Sequence, residues 1–258
     1  MNKKGLKSVL SILLLLSVVA FASGCATTQT NGAGISENPD PLEPANRSFF
    51  GLNEALDKFF MKPVANAYVQ ITPQPVRTGV TNFFDNLSYL NVVLNSFLQG
   101  KFEQGLSDMF RFFVNSTVGI GGLLDVATPM GMEKHEEDLG QTFAVWGIEQ
   151  GSYLYIPVQG PNTVRNLPNY ATSYFLNPLT YVSGTILFPV AALNIINARA
   201  NLLEATNIRD EAAVDSYSFT REAYLQRRNY LIYDGNPPAE GYDDIFDDNQ
   251  SDDVLIIE

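Results

Sequence analysis

Apolar and polar positions along this chain recur with a helical period rather than a two-residue one. Over residues 80–98, at roughly 100° per residue, Val80, Phe83, Phe84, Leu87, Leu90, Leu94 and Leu98 share one arc. Asn82, Asn86, Tyr89 and Ser96 share the other, with Asp85 between the two. The polar arc is neutral amide and hydroxyl, where an ordinary surface helix carries lysine and glutamate. Asn91 falls inside the apolar arc, and a buried amide there needs a hydrogen-bonding partner. The helix alone favours a satisfied core contact for Asn91; the alternative is a wall residue of a wet cavity. Residues 102–117 repeat the theme, with Phe102, Leu106, Met109, Phe110, Phe113 and Thr117 on one face, a stripe expected to be core.

The same reading predicts helices at 45–60, 64–71, 76–99, 101–117, 137–147, 162–166, 169–176, 179–187, 190–206 and 217–231. Only Tyr153-Leu154-Tyr155-Ile156-Pro157 looks extended, and no repeat of solenoid period occurs. The expected class is mainly α. Residues 166–198 hold no charged side chain in 33 consecutive positions, and Pro168, Pro178 and Pro189 divide the run into pieces of nine or ten. A bilayer crossing takes roughly 20 apolar residues, so no piece spans. A ten-residue helix is about 15 Å long, which suits one leaflet. Tyr170, Tyr174 and Tyr181 supply rings of the kind that settle at headgroup depth. Lipid offers the backbone no partners, so the breaks must be covered by protein or face a watery cavity, and a ring of short helices meets both demands. An unusually apolar soluble core explains the run equally well.

The termini change the picture. Three lysines precede an apolar run over residues 9–21, and Ala22-Ser23-Gly24 leads to Cys25, the only cysteine. This is the layout of a secretory signal peptide. Ala22-Ser23-Gly24-Cys25 resembles a bacterial lipobox, in which Cys25 is acylated and becomes the mature N-terminus; two or three acyl chains anchor durably. Ala26 rather than aspartate follows, which in such lipoproteins implies sorting to the outer membrane. Residues 26–38 read as a flexible tether. The formal net charge is −12, but residues 234–258 carry nine of the acids and no base, an expected disordered, solubilising tail. Residues 37–233 carry 32 charges among 197 positions, about 16% where a soluble domain has about 25%. No basic stripe favours nucleic acid.

Enzyme chemistry finds little footing. His135 is the only histidine, so no H-E-x-x-H motif exists, and without a second histidine or a usable cysteine a zinc site has little support. Glu133, Glu136 and Asp138 could be imagined around calcium, but a solvated charged loop accounts for them better. No G-x-S-x-G elbow occurs: Leu154 stands where the second glycine after Ser152 belongs. Gly119-Ile120-Gly121-Gly122 lacks the strand and spacing of a dinucleotide fingerprint and reads as a tight turn or close helix crossing. Arg221, Arg227 and Arg228 could meet lipid phosphates, although ion pairs with groups such as Glu222 are the commoner arrangement. We expect no enzyme, no cofactor and no metal.

Asp40-Pro41-Leu42-Glu43-Pro44 with Asn46-Arg47, Lys62-Pro63-Val64-Ala65, Asn82-Phe83-Phe84-x-Asn86-Leu87, Leu98-Gln99-Gly100-Lys101 and Gly119-Ile120-Gly121-Gly122-Leu123 resemble the MlaA (VacJ) family of outer-membrane lipoproteins. Glu137-Asp138-x-Gly140-Gln141-Thr142 and the run from Arg221 to Arg228 are similar too, so that the likeness covers about residues 40–235. Ser152 and Ser216 depart from the family's usual proline, Leu139 from a phenylalanine and Asn166 from an acid. The resemblance implies a ring-shaped single domain of short amphipathic helices, seated in one membrane leaflet, with an amphipathic channel through its middle. It also implies retrograde phospholipid transport, in which lipids misplaced in the outer leaflet pass to a periplasmic carrier protein, and association with a trimeric porin. On this reading residues 1–24 are signal peptide, 25–38 lipidated tether, 39–235 helical body and 236–258 acidic disordered tail. Asn82, Asn86, Tyr89 and Asn91 are the expected channel-lining side chains, and Phe83, Phe84, Tyr174 and Phe188 the expected lipid-facing ones. A structural lipoprotein that docks to a porin without moving lipid is the competing reading, and a phospholipase without a familiar motif a third.

Overall fold

Helix α1 (Glu43–Leu56) runs through one π-helical turn, Asp57–Met61, directly into α2 (Lys62–Ile71). The expected break before residue 64 is absent. The wider π turn immediately precedes Pro63 and accommodates its ring and missing N–H without ending the helix. This computed structural model describes residues 40–238; the signal peptide, Cys25, the tether and nearly all of the acidic tail lie outside the described residues. Helix α3 (Gln74–Leu98) starts after Pro73 with Pro75 in its first turn, where no donor is lost, and α4 (Phe102–Thr117) packs along it. A 3₁₀ turn at Thr128–Met130 and the short α5 (Leu139–Val145) follow.

Strands β1 (Tyr153–Ile156) and β2 (Gly160–Thr163) form an antiparallel hairpin with Tyr153 opposite Thr163 and Ile156 opposite Gly160. A helix expected at 162–166 is instead the end of β2 and a 3₁₀ turn, Val164–Asn166. The ladder decides this, because the extended β1 needs a partner for its backbone groups. Its other edge is closed by α1. Asn46 accepts from the Tyr155 N–H at 2.8 Å and donates to the Tyr153 carbonyl at 3.1 Å, while Asn53, two turns on, accepts from the Val158 N–H at 2.8 Å. Helix α6 (Asn169–Leu176) and a 3₁₀ turn, Pro178–Tyr181, lead to α7 (Gly184–Asn201), α8 (Leu203–Ala212) and α9 (Ser216–Ile232).

Pro189 lies inside α7 rather than between two helices. Its position near the helix start sacrifices one hydrogen bond, to the Thr185 carbonyl, and the helix absorbs it. At 18 residues α7 is about 27 Å long, so the half-bilayer length deduced from the prolines does not hold for it. Among the described residues no single helix is long and apolar enough to cross a membrane, although α7 and α8, bent by 43°, pass that test as a pair by length and composition.

The distribution of burial is inverted relative to a water-soluble protein. Among the described residues only eight hydrophobic side chains are buried, against seventeen polar or charged ones. The one conventional aromatic cluster, Tyr153, Tyr155 and Tyr217 with Phe50, lies between the hairpin, α1 and α9. In α4 the inversion is complete. Phe102, Leu106, Phe110 and Phe113, expected as core, are exposed, and Gly105, Asp108, Arg111 and Asn115 on the opposite face are buried. Over residues 166–198 the only buried side chain is Asn197, so the soluble-core explanation of that stretch is overturned.

Candidate functional site

The polar interior is built where α3 meets α4. The carboxylate of Asp108, fully buried, accepts from the Tyr89 hydroxyl at 3.2 Å and from Ser96 Oγ at 3.1 Å. Burial pushes the Tyr89 hydroxyl above its ordinary pKa, which keeps it a donor. Asn86 donates to Ser116 Oγ at 2.8 Å and Asn115 accepts from the Val126 and Ala127 N–H groups at 2.9 Å. Arg111 pairs with Asp125 at 2.6 Å. Burial works to raise the Asp125 pKa, but hydrogen bonds from Thr128, then Arg111 and Asn115, outweigh it and hold the carboxyl at about 2. The glycine turn fits this packing. Gly122 has φ +92°, and a Cβ there would sit 2.6 Å from the Asn86 Cβ, so side-chain-free backbone is required for the approach.

Residues 134–138 form a strap across this interior. Lys134 pairs with Asp85 of α3 at 2.6 Å, His135 Nδ1 meets Asp108 Oδ1 of α4 at 2.8 Å, and Glu136 pairs with Arg227 of α9 at 2.5 Å. Glu137, itself buried, accepts from Lys101 at 2.9 Å and from Gln99 and Gln104 at 2.7 and 2.8 Å. Asp138 caps α5 and takes a bidentate pair from Arg228 at 2.6 and 2.9 Å. Burial opposes the Arg228 charge, yet the Asp138 hydrogen bonds and attraction prevail and raise its pKa. Five consecutive side chains thus tie three helices and the turn between α3 and α4 together. The run expected as a solvated loop is a structural clasp.

Between the strap, α3 and α9 opens a cleft of about 400 Å³. Helix α3 contributes Ser88, Tyr89, Asn91 and Val92, neutral apart from Asp85, and the strap and α9 contribute the other charges. Ser88 and Asn91 also border a second space of about 70 Å³ toward α6, bounded by Leu87 and Leu176. A polar cleft and a partly apolar recess thus lie on either side of Ser88 and Asn91, chemistry suited to an amphipathic molecule.

Tyr89 and Asn91 line the cleft, and Asn91 donates to Asn169 Oδ1 of α6 at 3.2 Å. Asn82 and Asn86 line a space of only about 20 Å³ beside it. Phe84 is buried and stacks edge-on with the half-buried Phe83 at 5.2 Å. Tyr174 and Phe188 are exposed and do not line the cleft. Arg221 pairs with Glu222, and Arg227 and Arg228 with Glu136 and Asp138, the ion-paired arrangement the sequence favoured. Among the described residues no group of three acidic, histidine or cysteine side chains could hold a metal ion. Sequence reasoning missed Asp108, Arg111, Asn115 and the strap. Their signal was present: Gly105, Asp108, Arg111 and Asn115 repeat at helical spacing, and residues 133–138 are a dense charge run in a charge-poor body.

Residues 38–231 match a family model described as MlaA lipoprotein. The chain is 33% identical over 252 residues to the intermembrane phospholipid transport system lipoprotein MlaA of Escherichia coli K12, covering 92% of this chain and 99% of that one. It is 27% identical to the protein of the same name from Haemophilus influenzae, over 89% and 93% of the two chains. A solved structure described as "Structural basis for maintenance of bacterial outer membrane lipid asymmetry" superposes with a TM-score of 0.66 at 31% identity, covering 75% of this chain and 98% of that one.

Proposed function

The chain belongs to the MlaA lipoprotein family, and on that premise we propose that it is an outer-membrane lipoprotein of phospholipid transport. It withdraws phospholipids misplaced in the outer leaflet and passes them inward, so preserving lipid asymmetry. The observation that carries this reading is the polarity of α4, whose phenylalanines face outward while Asp108, Arg111 and Asn115 face in. Apolar side chains gain from lipid contact, and a hydrogen-bonded polar interior next to an open cleft gives a headgroup a route shielded from acyl chains.

On this reading the helices form a ring seated in one leaflet with a channel through its middle. The chain comprises a signal peptide (1–24), a tether lipidated at Cys25 (25–38), the helical body (39–235) and an acidic tail (236–258). A trimeric porin beside it and a periplasmic carrier protein beneath it are the expected partners. The conduit itself performs no covalent chemistry and needs no cofactor. The competing role, porin docking without lipid movement, is disfavoured by the transport systems named for the E. coli and H. influenzae relatives.

The deciding experiment deletes the gene and measures phospholipid in the outer leaflet by surface labelling of amine headgroups. Accumulation is expected, reversed by the wild-type chain but not by Cys25→Ala, which should fail to reach the outer membrane. An unchanged outer leaflet counts against transport, and lysophospholipid produced by the purified protein would point to the phospholipase instead.

A further inference from the structure

The charges around the cleft come in complementary pairs, and the pairs differ in exposure. Lys134 with Asp85 is 45% and 39% exposed, and Arg227 with Glu136 is 60% and 52% exposed. Arg228 with Asp138 is 9% and 16% exposed, and Lys101 with Glu137 is 21% and 2% exposed. Exposed ion pairs contribute little to stability and open readily, whereas removing one partner of a buried pair is costly. The inner two pairs therefore fix the strap, and the outer two can change partners.

Resting on the conduit reading above, we propose that the cleft accepts phospholipids with a zwitterionic, ammonium-bearing headgroup in preference to net-anionic ones. The lipid phosphate replaces Asp85 and Glu136 as partner of Lys134 and Arg227, while the lipid ammonium takes over the released carboxylates. A zwitterion brings one charge of each sign, so this exchange leaves the net charge of the site unchanged. A net-anionic headgroup supplies no cation, so Asp85 and Glu136 stay beside its negative charge and repel it. Asn91 lines the same cleft, and its Nδ2, which gives one N–H to Asn169, can offer the second to a glycerol ester oxygen. At roughly 30 Å³ per water-sized group the eight non-hydrogen atoms of a phosphoethanolamine head need roughly 240 Å³, which a cleft of about 400 Å³ accommodates. Because the exchanged pairs are exposed and weak, binding is shallow and release is fast, as a conduit requires.

The test incubates the full lipidated chain, in nonionic detergent, with micelles holding equal amounts of ethanolamine, choline and glycerol phospholipids, and quantifies what co-purifies by mass spectrometry. Wild type is expected to retain either zwitterionic lipid roughly fivefold over the glycerol lipid. The Asp85→Asn, Glu136→Gln double variant frees Lys134 and Arg227 and should reverse the preference. Glu136→Gln alone, at a half-exposed position, should shift the ratio part of the way and serves if the double variant fails to fold. Equal retention, a wild-type preference for the anionic lipid, or a ratio unmoved by the variants overturns the proposal while leaving transport intact. Retention of no phospholipid at all overturns the conduit reading itself.

Discussion

The hairpin with α1 and α9 and the paired helices α3 and α4 solve burial in opposite ways. In the first, Tyr153, Tyr155 and Tyr217 stack inside with Phe50, and Arg47 sits outside in a pair with Asp215. In the second, Phe102, Phe110 and Phe113 stand outside and Asp108, Arg111 and Asn115 inside. On the proposed membrane seating, one chain obeys both rules because its two sectors meet different solvents. The aromatic sector excludes water in the ordinary sense, whereas the α3 and α4 sector keeps its polar groups together and its apolar groups exposed, and lipid, in the proposed setting, has no reason to drive them inward.

Substitutions can break this contrast. The largest effect is expected for Asp125→Ala, which strands the buried Arg111 guanidinium and should cost about 3 kcal/mol or more by denaturant unfolding in detergent. The sign of the pH dependence follows from the depressed carboxyl. With a folded pKa of about 2 against an ordinary 3.8, Asp125 stabilises fully above pH 4 and loses its contribution as the pH falls from 3.8 toward 2. Wild type should weaken across that window, and the variant should not show this part of the loss.

A middling effect is expected on the lipid side. Phe110→Ser with Phe113→Ser removes two exposed rings from α4 and should lower vesicle partitioning by about tenfold to a hundredfold, with little change in the melting temperature in detergent. A large fall in melting temperature would mean those rings are core after all. The smallest effect sharpens the aromatic side. The Tyr153 hydroxyl is buried without a hydrogen-bond partner, so Tyr153→Phe should leave stability within about 1 kcal/mol of wild type or raise it. Tyr217→Phe offers the contrast, since it loses a hydrogen bond to Asp40 and should cost more.

Much of the helical layout was legible in residue order. The period of residues 80–98 and 102–117 matches α3 and α4 closely, and Gly119-Ile120-Gly121-Gly122 is a tight turn as its composition suggests. Prolines misled twice, at 63 and 189, because their cost is local and a π turn or a position near the helix start absorbs it. The second strand was missed because Gly160-Pro161-Asn162-Thr163 has little strand character of its own and is held by β1. The site was half legible: Tyr89 and Asn91 could be singled out from an arc of neutral polar residues, but their partners Asp108, His135 and Asn169 lie on other elements.

The amino-acid order by itself determined which residues share a helix face, that the body is poor in charge, and the motifs that mark the family. It could not determine which face of α4 points inward, since periodicity is blind to sign: an apolar stripe looks the same whether its solvent is a protein core or acyl chains. Only the tertiary structure decided that, by bringing Asp108 to Tyr89, Ser96 and His135. The physical reason is that buried polar groups must find partners across the fold, and those pairings lie 12 to 27 positions apart in the chain.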